Sequence, residues 1–312
     1  MDAQNTRVVP VGAESIAEAA RLIRAGRPVA VPTETVYGLA ADATDSEAVA
    51  AIYAAKGRPS FNPLIVHVAS LDQAERYGDF SRTARGLASA HWPGALTLVV
   101  PERPDSGLAP AVTAGLGTVA LRCPAHPAMQ ALLAAAGRPL AAPSANASGA
   151  ISPTRAAHVL AGLGGRIPLI LDGGPTEQGL ESTIVAVEGD RVRLLRPGPI
   201  AVPAAEAPLS GPDEERIEAP GQLRSHYAPA KPLRLDAVSA LPGEWLIGFG
   251  TVAGDDNLSP AGDLSEAAAG LFDALYRADR EDRPRIAVAP IPTEGVGLAI
   301  NDRLSRGAAP RG

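Results

Sequence analysis

Apolar residues in this chain fall into two patterns. PVAVP, LIVHV, LTLVV, TVALR, PLAAP and PLILD are short, nearly unbroken apolar runs. Their length and β-branched content predict buried strands. Helix-length stretches separate most of them. The Ser15 to Glu18 spacing reads as a capping box opening an amphipathic helix, with Gly26 ending it. Ser46 stands where it would cap SEAVAAIYAAK, whose Val49, Ile52 and Tyr53 share one helical face, and Ser70 stands where it would cap the next helix. Alternation of this kind predicts an α/β sheet. TIVAVEGDRVRLLRPG differs, because two β-rich runs meet at Gly189-Asp190, a two-residue hairpin turn. The sheet is therefore expected to be mixed.

The pattern breaks over residues 201–232, which are rich in Pro, Ala and acid and show no sustained period. Beyond it EWLIGFG, a helix over LSEAAAGLFDALYRAD, RIAVAP and a helix over GLAINDRLSR form a second, small α/β unit. That unit is marginal for folding alone and is expected to pack on its neighbour. The expected division is a first domain over 1–205, a linker over 206–232 and a small domain over 233–312.

Composition narrows the class. At 312 residues and 46% hydrophobic the chain can build two cores, and with 4% aromatics those cores are aliphatic. Residues 1–205 carry 17 basic and 17 acidic side chains, and residues 206–312 carry 11 against 17, which supplies the net −6. Neither part has the basic excess of a strong nucleic-acid binder, so no stable nucleic-acid binding is expected. The single cysteine, Cys123, has no partner for a disulfide and lacks a nearby base, so it reads as a small core residue; the five histidines are scattered. The opening MDAQNTRVVP lacks a secretory pattern, and no apolar run approaches 18 residues, so a cytoplasmic protein without membrane association is expected.

Usage of basic residues is lopsided: there are two lysines, Lys56 and Lys231, among 28 basic residues. Lys is a compact point charge and Arg a planar fork, so a Lys retained beside Arg58 marks either a required ammonium, meeting a phosphate, or a chance survivor on a solvated surface. P-loop, GxGxxG, GxSxG and HExxH motifs are absent. The chemistry concentrates instead at strand ends. VPTETVYGL gathers the hydroxyls of Thr33, Thr35 and Tyr37 after a strand, either for a small polar substrate or for turn bonds. KGRPSFNPLIVH presents Lys56, Arg58 and Asn62 on a Pro-stiffened connection into a strand bearing His67, which alternates with Val66 and Val68 and is expected to have Ile65 opposed. A lone strand His is more often structural than a ligand. Arg122 ends an apolar strand and needs a carboxylate, internal or from substrate. APSANASGAISPT offers Ser144, Asn146, Ser148 and Ser152 before a helix capped by Thr154, and Ser182, Thr183 and Arg196 flank the hairpin. His226 and Tyr227 lie in the Pro-flanked linker segment HYAPAKP, suited either to closing over a ligand or to docking the small domain.

PTETVYGL, KGRPSFNPLIVH, APSANASG, ESTIV with LLRPG, and SHYAP together resemble the threonylcarbamoyl-AMP synthase family with a YrdC-like domain, in its two-domain form, over about residues 10–310. The resemblance implies a twisted mixed α/β sheet with a concave cleft and a Rossmann-like C-terminal domain. It implies a nucleotidyltransferase that joins L-threonine, bicarbonate and ATP into L-threonylcarbamoyladenylate with release of diphosphate. A partner transferase would then deliver the group to tRNA. Carried onto this chain, Thr35, His67, Arg122, Ser182 and the backbone near Ala142 correspond to the threonine site. Lys56, Arg58, Asn62, Thr118, Ser144, Asn146, Ser152 and Arg196 correspond to the ATP site, with His226 or Tyr227 approaching the nucleotide and Lys56 and Arg58 neutralising developing charge. The linker departs from many relatives in reading PGQLR where they carry PGM followed by a basic residue and Tyr.

Neither joining step needs an enzyme nucleophile, in accord with the absence of a Ser/His or Cys/His arrangement. Mg²⁺ is expected to be held by phosphates and water rather than by a carboxylate cage. The rival reading is a non-catalytic module that holds double-stranded RNA or tRNA by shape, which the neutral first domain disfavours. A carbamoyl-transfer domain of a larger maturation enzyme would want zinc-finger cysteines that this chain lacks.

Overall fold

The computed structural model describes residues 5–206 and 217–310. The first part of the chain runs β1 (Arg7–Pro10), α1 (Ala13–Arg24), β2 (Val29–Val31), β3 (Gly38–Asp42), α2 (Ser46–Lys56), β4 (Ile65–His67), α3 (Leu71–Ala74), α4 (Arg82–His91) and β5 (Leu96–Pro101). It continues through α5 (Pro110–Thr113), β6 (Thr118–Arg122), α6 (Pro127–Ala136), β7 (Leu140–Ala141), α7 (Ala156–Leu163), β8 (Leu169–Asp172), β9 (Thr183–Glu188) and β10 (Arg191–Arg196). The second part holds β11 (Leu233–Arg234), β12 (Glu244–Gly248), β13 (Asp256–Asn257), α8 (Leu264–Arg280), β14 (Arg285–Val288) and α9 (Gly297–Ala308).

The first ten strands form one sheet in the order β1-β8-β2-β3-β7-β4-β6-β5-β9-β10, with parallel pairs such as β4 on β6 and antiparallel pairs such as β9 on β10. It is mixed, as the hairpin at Gly189-Asp190 predicts. The second sheet, β11-β14-β12-β13, is wholly parallel and packs beside α8 and α9. The two parts share one apolar cluster, in which Val36, Ile151 and Leu180 meet Tyr227, Phe272 and Leu271. The small unit thus buries its open face on the first, as its size requires. Gly179 sits so close to α8 that a Cβ on it would lie 2.4 Å from the Ala268 carbonyl oxygen.

Local signals differ in detail from the sequence reading. Gly12, not Ser15, is the N-cap of α1; Ser15 is the third helical residue, and its hydroxyl accepts from Gly12 N at 2.9 Å. Asp45, not Ser46, caps α2, accepting from Glu47 N at 2.9 Å, because a carboxylate one residue earlier reaches the free amides of the first turn. Gly57, in the left-handed conformation at φ 62°, ends α2 as expected. Ser70 does cap α3. Arg155, with no side-chain cap bond, stands at the N-cap of α7 where Thr154 was expected. Two strands lie beyond those that the sequence pattern predicts: β1, mostly exposed at the sheet edge, and β3, buried between β2 and β7. Residues 207–216 of the expected linker lie outside the described residues.

Candidate functional site

The sheet brings its polar strand ends together. In register across β4 and β6, Ile65 stands beside Ala120 and His67 beside Arg122. Ile65 and His67 share one face, correcting the expectation that Ile65 is opposed: positions two apart on a strand point the same way. That face borders a cavity of about 40 Å³. Thr33 and Thr35 after β2, Arg58 after α2, His67, Arg122, Ala142 and Ser144 after β7, Glu181 and Ser182 before β9, and Arg196 ending β10 all line it. Its remaining wall is the strap of residues 217–232, through Pro220, Gly221, His226 and Tyr227.

Arg122 is held by three acceptors. Nη2 donates to Glu34 Oε1 at 2.7 Å, Nη1 to Thr35 Oγ1 at 3.0 Å and Nε to Gly94 O at 3.1 Å. Its carboxylate partner in the fold is therefore internal, and each terminal nitrogen keeps one further N–H. Burial pushes the Glu34 carboxyl up, but the charge and hydrogen bond of Arg122, together with backbone N–H groups, outweigh it and hold the group below its ordinary range. Arg196 donates through Nε and Nη2 to Ser182 O at 3.1 and 2.9 Å, and through Nη2 to Ser182 Oγ at 3.1 Å; that hydroxyl also pairs with Thr97 Oγ1 at 2.7 Å. Arg58 is folded back onto its own loop, Nη2 donating to Asn62 Oδ1 and Pro63 O at 2.7 Å each. Burial lowers its pKa to about 10, so it stays cationic.

Burial likewise drives His67 and His226 down to about 3, so both imidazoles are neutral near pH 7. His67 Nδ1, His226 Nδ1 and the Tyr227 hydroxyl are buried on this cavity without a hydrogen-bond partner. Buried polar atoms are normally paired, so three orphans around one cavity, one on the sheet and two on the strap, mark a place that takes up a polar ligand.

All five residues expected at the amino-acid site, Thr35, His67, Arg122, Ala142 and Ser182, line the cavity, as do Arg58, Ser144, Arg196, His226 and Tyr227 from the nucleotide set. Lys56, Asn62, Thr118, Asn146 and Ser152 do not. Lys56 lies one layer behind: its ammonium donates to Ser144 O and to Asn146 O, the latter at 2.6 Å, and Lys56 O accepts from Ser148 N at 2.9 Å. Asn62 serves Arg58, and Ser152 donates to Glu181 Oε1. Asn146 faces a second recess of about 380 Å³, and its Nδ2 donates to Ala147 O and Ala150 O at 2.9 Å each. Thr118 opens β6, at the opposite end of the strand from Arg122; between them the apolar face of Ile65, Ala120, Ile184, Ala186 and Leu195 is covered by Ala219 of the strap. Tyr37 does not join Thr33 and Thr35. Its hydroxyl donates to Gly174 O at 2.7 Å, because the chain bends over residues 34–36 between β2 and β3 and breaks the regular alternation. Lys231 has a structural post: its ammonium donates to Ala278 O at 2.9 Å and to Glu281 O, capping the C-terminus of α8.

Two carboxylates escaped the sequence reading. Glu34 orients Arg122, and Glu181 lines the cavity with both oxygens engaged, by Ser152 and by Arg303 Nε at 2.7 Å. Each directly adjoins a residue singled out in sequence, Thr35 and Ser182, and a lone acid in an otherwise uncharged segment was the available signal.

Neutral imidazoles, hydroxyls and three guanidinium groups gathered at the strand ends of a mixed sheet, under a strap from a docked α/β unit, define a small-molecule site with the chemistry to bind anions. A family model described as telomere recombination, covering Sua5, YciO and YrdC, matches residues 21–198, and one for the threonylcarbamoyl-AMP synthase C-terminal domain matches residues 184–309. The threonylcarbamoyl-AMP synthase of Bacillus subtilis is 44% identical over 95% of this chain and 93% of its own, and that of Pyrococcus abyssi is 38% identical over 94% of each. The crystal structure of P. abyssi Sua5 complexed with L-threonine matches with a TM-score of 0.88 at 35% identity, over 97% of each chain. The chain belongs to the threonylcarbamoyl-AMP synthase family.

Proposed function

We propose that this protein condenses L-threonine, bicarbonate and ATP into L-threonylcarbamoyladenylate, releasing diphosphate. One observation carries the reading: Thr35, His67, Arg122, Ala142 and Ser182 share a cavity with Arg58, Ser144 and Arg196, so an amino-acid site and an anion site adjoin. The relatives named for this reaction support it.

The free N–H groups of Arg122 suit the threonine carboxylate, and the neutral His67 accepts or donates without adding charge. The threonine amine attacks bicarbonate carbon and water leaves, giving a carbamate. A carbamate oxygen then attacks the α-phosphorus and the bond to the bridging oxygen of diphosphate breaks. Arg58 and Arg196 neutralise charge growing on the phosphates, and the Lys56 ammonium holds the Ser144–Asn146 loop in place from behind. Among the described residues no three His, Cys, Asp or Glu side chains gather as metal ligands, and Glu181 has both oxygens engaged. That donor set suits Mg²⁺ carried by ATP phosphates and water, where it supplies positive charge beside the leaving group.

A cavity of about 40 Å³ holds roughly three waters and no nucleotide. The strap is therefore the part that withdraws for ATP and returns to exclude water from the hydrolysable carbamate and anhydride. The neutral charge of residues 1–205 weighs against a double-stranded RNA module. Among the described residues no helix is long and apolar enough to cross a membrane. A cytoplasmic setting, with a tRNA-modifying transferase consuming the product, completes the proposal.

Diphosphate release from ATP and bicarbonate with threonine, serine or no amino acid tests it. Release that depends on threonine and on bicarbonate is expected, and release indifferent to the amino acid would overturn the reading.

A further inference from the structure

Arg303, on α9 of the second unit, is 1% exposed, yet it does not line the cavity. Its Nε donates to Glu181 Oε2 at 2.7 Å, its Nη2 to Pro197 O at 3.0 Å and its Nη1 to Asp302 Oδ2 at 2.6 Å, and its guanidinium carbon lies 5.0 Å from the centre of the Tyr227 ring. Glu181 immediately precedes Ser182, and Pro197 immediately follows Arg196. One planar fork therefore ties both ends of the β9–β10 hairpin and bears on the strap through the Tyr227 ring. A lysine has no such geometry.

An ion pair with side chains 0% and 7% exposed is a poor source of net stability, because desolvation offsets the attraction, and an apolar pair would dock the unit as well. Position is what the pair adds. The next turn of α9 works on the strap itself: Arg306 Nη1 donates to Gln222 O at 3.0 Å and Leu223 O at 2.8 Å, and its carbonyl accepts from His226 N at 3.3 Å.

We propose that Arg303 is a positioning residue for the reaction: by fixing Glu181, Pro197 and Tyr227 together, it makes the set of Ser182, Arg196 and the strap depend on the docking of the second unit. What Ser182 and Arg196 bind rests on the functional reading above; the mechanical linkage does not.

The test uses the full chain with Arg303→Lys, and with the paired Arg303→Met and Glu181→Gln, which removes both charges of the buried pair and covers the case in which the lysine variant fails to fold. The first readout needs no substrate: the rate at which trypsin cuts after Arg224, an exposed residue of the strap, followed by mass spectrometry. Cutting is expected to quicken roughly tenfold while the melting temperature shifts by only a few degrees. The second readout is the KM for threonine against kcat at saturating ATP, where KM is expected to rise roughly tenfold and kcat to fall less. Parental cutting or a parental threonine KM in a folded variant would overturn the inference. So would a fall in kcat at unchanged KM that tracks lost thermal stability, the mark of a merely structural role. An unaltered protein without threonine-dependent turnover would sink the functional reading instead, and the cutting rates would still decide the linkage.

Discussion

The ammonium of Lys56 lies 2.6 Å from the carbonyl oxygen of Asn146, ninety positions along the chain. A second donation, to Ser144 O, makes this lysine the clasp between α2 and the loop after β7. Lys231 clasps carbonyls at the end of α8 in the same manner. Both lysines of this arginine-rich chain thus sit where a compact cation converges on adjacent carbonyl oxygens, a task ill suited to a flat guanidinium.

Lys56→Ala removes two buried donations and leaves the Asn146 carbonyl unpaired, while Ser144 O keeps the Asn146 N–H at 3.0 Å, at a cost of about 1–3 kcal/mol for the orphaned group. The Ser144 wall of the cavity then loses its backing. Diphosphate release is expected to fall by roughly a hundredfold or more while circular dichroism at 25 °C stays native. Lys56→Arg is expected not to rescue it, because the larger head does not fit a site that is 3% exposed. Normal turnover in either variant would dismiss the clasp.

Arg122 and Glu34 make the corresponding prediction for the amino-acid end. Arg122→Ala leaves Glu34 buried with its charge uncompensated and is expected to cost about 3–5 kcal/mol in chemical denaturation. Arg122→Lys keeps the charge but loses the fork that spans Glu34, Thr35 and Gly94. For that variant the threonine KM is expected to rise more than tenfold with the ATP KM near its parental value. A rise confined to ATP would assign the arginine to the wrong substrate.

The strand runs LIVHV, TVALR and PLILD and the hairpin turn at Gly189-Asp190 were legible because period and turn chemistry are local. Strand β3 was not, since GLAAD has small residues without β-branching and becomes a strand only through pairing on β2 and β7. The cavity residues were legible as hydroxyls and cations at strand ends. Their partners were not: Glu34 is recognisable as Arg122's counterion only once β2 and β6 are brought near, and Arg303 reaches Glu181 from 122 positions away. Sequence shows which side chains need a partner. Which partner they receive is decided by topology.

Acid titration separates the histidines from the carboxylates. His67 and His226 are lowered to about 3 from 6.5, chiefly by burial, so the unfolded chain binds more protons than the folded one between those values. Stability is complete above pH 6.5 and falls as pH drops below it, by at most about 1.4 kcal/mol per pH unit for each ring. Glu34 and Glu181, whose pKa values lie below 4.5, add their own loss only at lower pH. Melting temperature is therefore expected to fall between pH 6.5 and 5, and His226→Gln to flatten that slope. An unchanged slope in both His67→Gln and His226→Gln would mean the rings are not its source.

Gly221 tests the strap. It sits at φ 89°, and a Cβ there would lie 2.5 Å from the Tyr227 hydroxyl oxygen and 2.9 Å from Arg196 Cδ. Gly221→Ala therefore meets both backbone strain and a clash, together about 1–3 kcal/mol, and the relief available is to lift the strap from the cavity. A lifted strap admits ATP but no longer excludes water, so carbamate and mixed anhydride are lost to hydrolysis. The quantity to follow is diphosphate released per threonylcarbamoyladenylate recovered. It is expected to stand near one in the parent and to rise several-fold in Gly221→Ala, with the first sheet still folded because the only strand residue the substitution meets is Arg196, at the end of edge strand β10 and through its side chain. A ratio unchanged from the parent at normal turnover would show that the strap rides on the site without guarding it. Water exclusion would then have to come from the first domain's own walls.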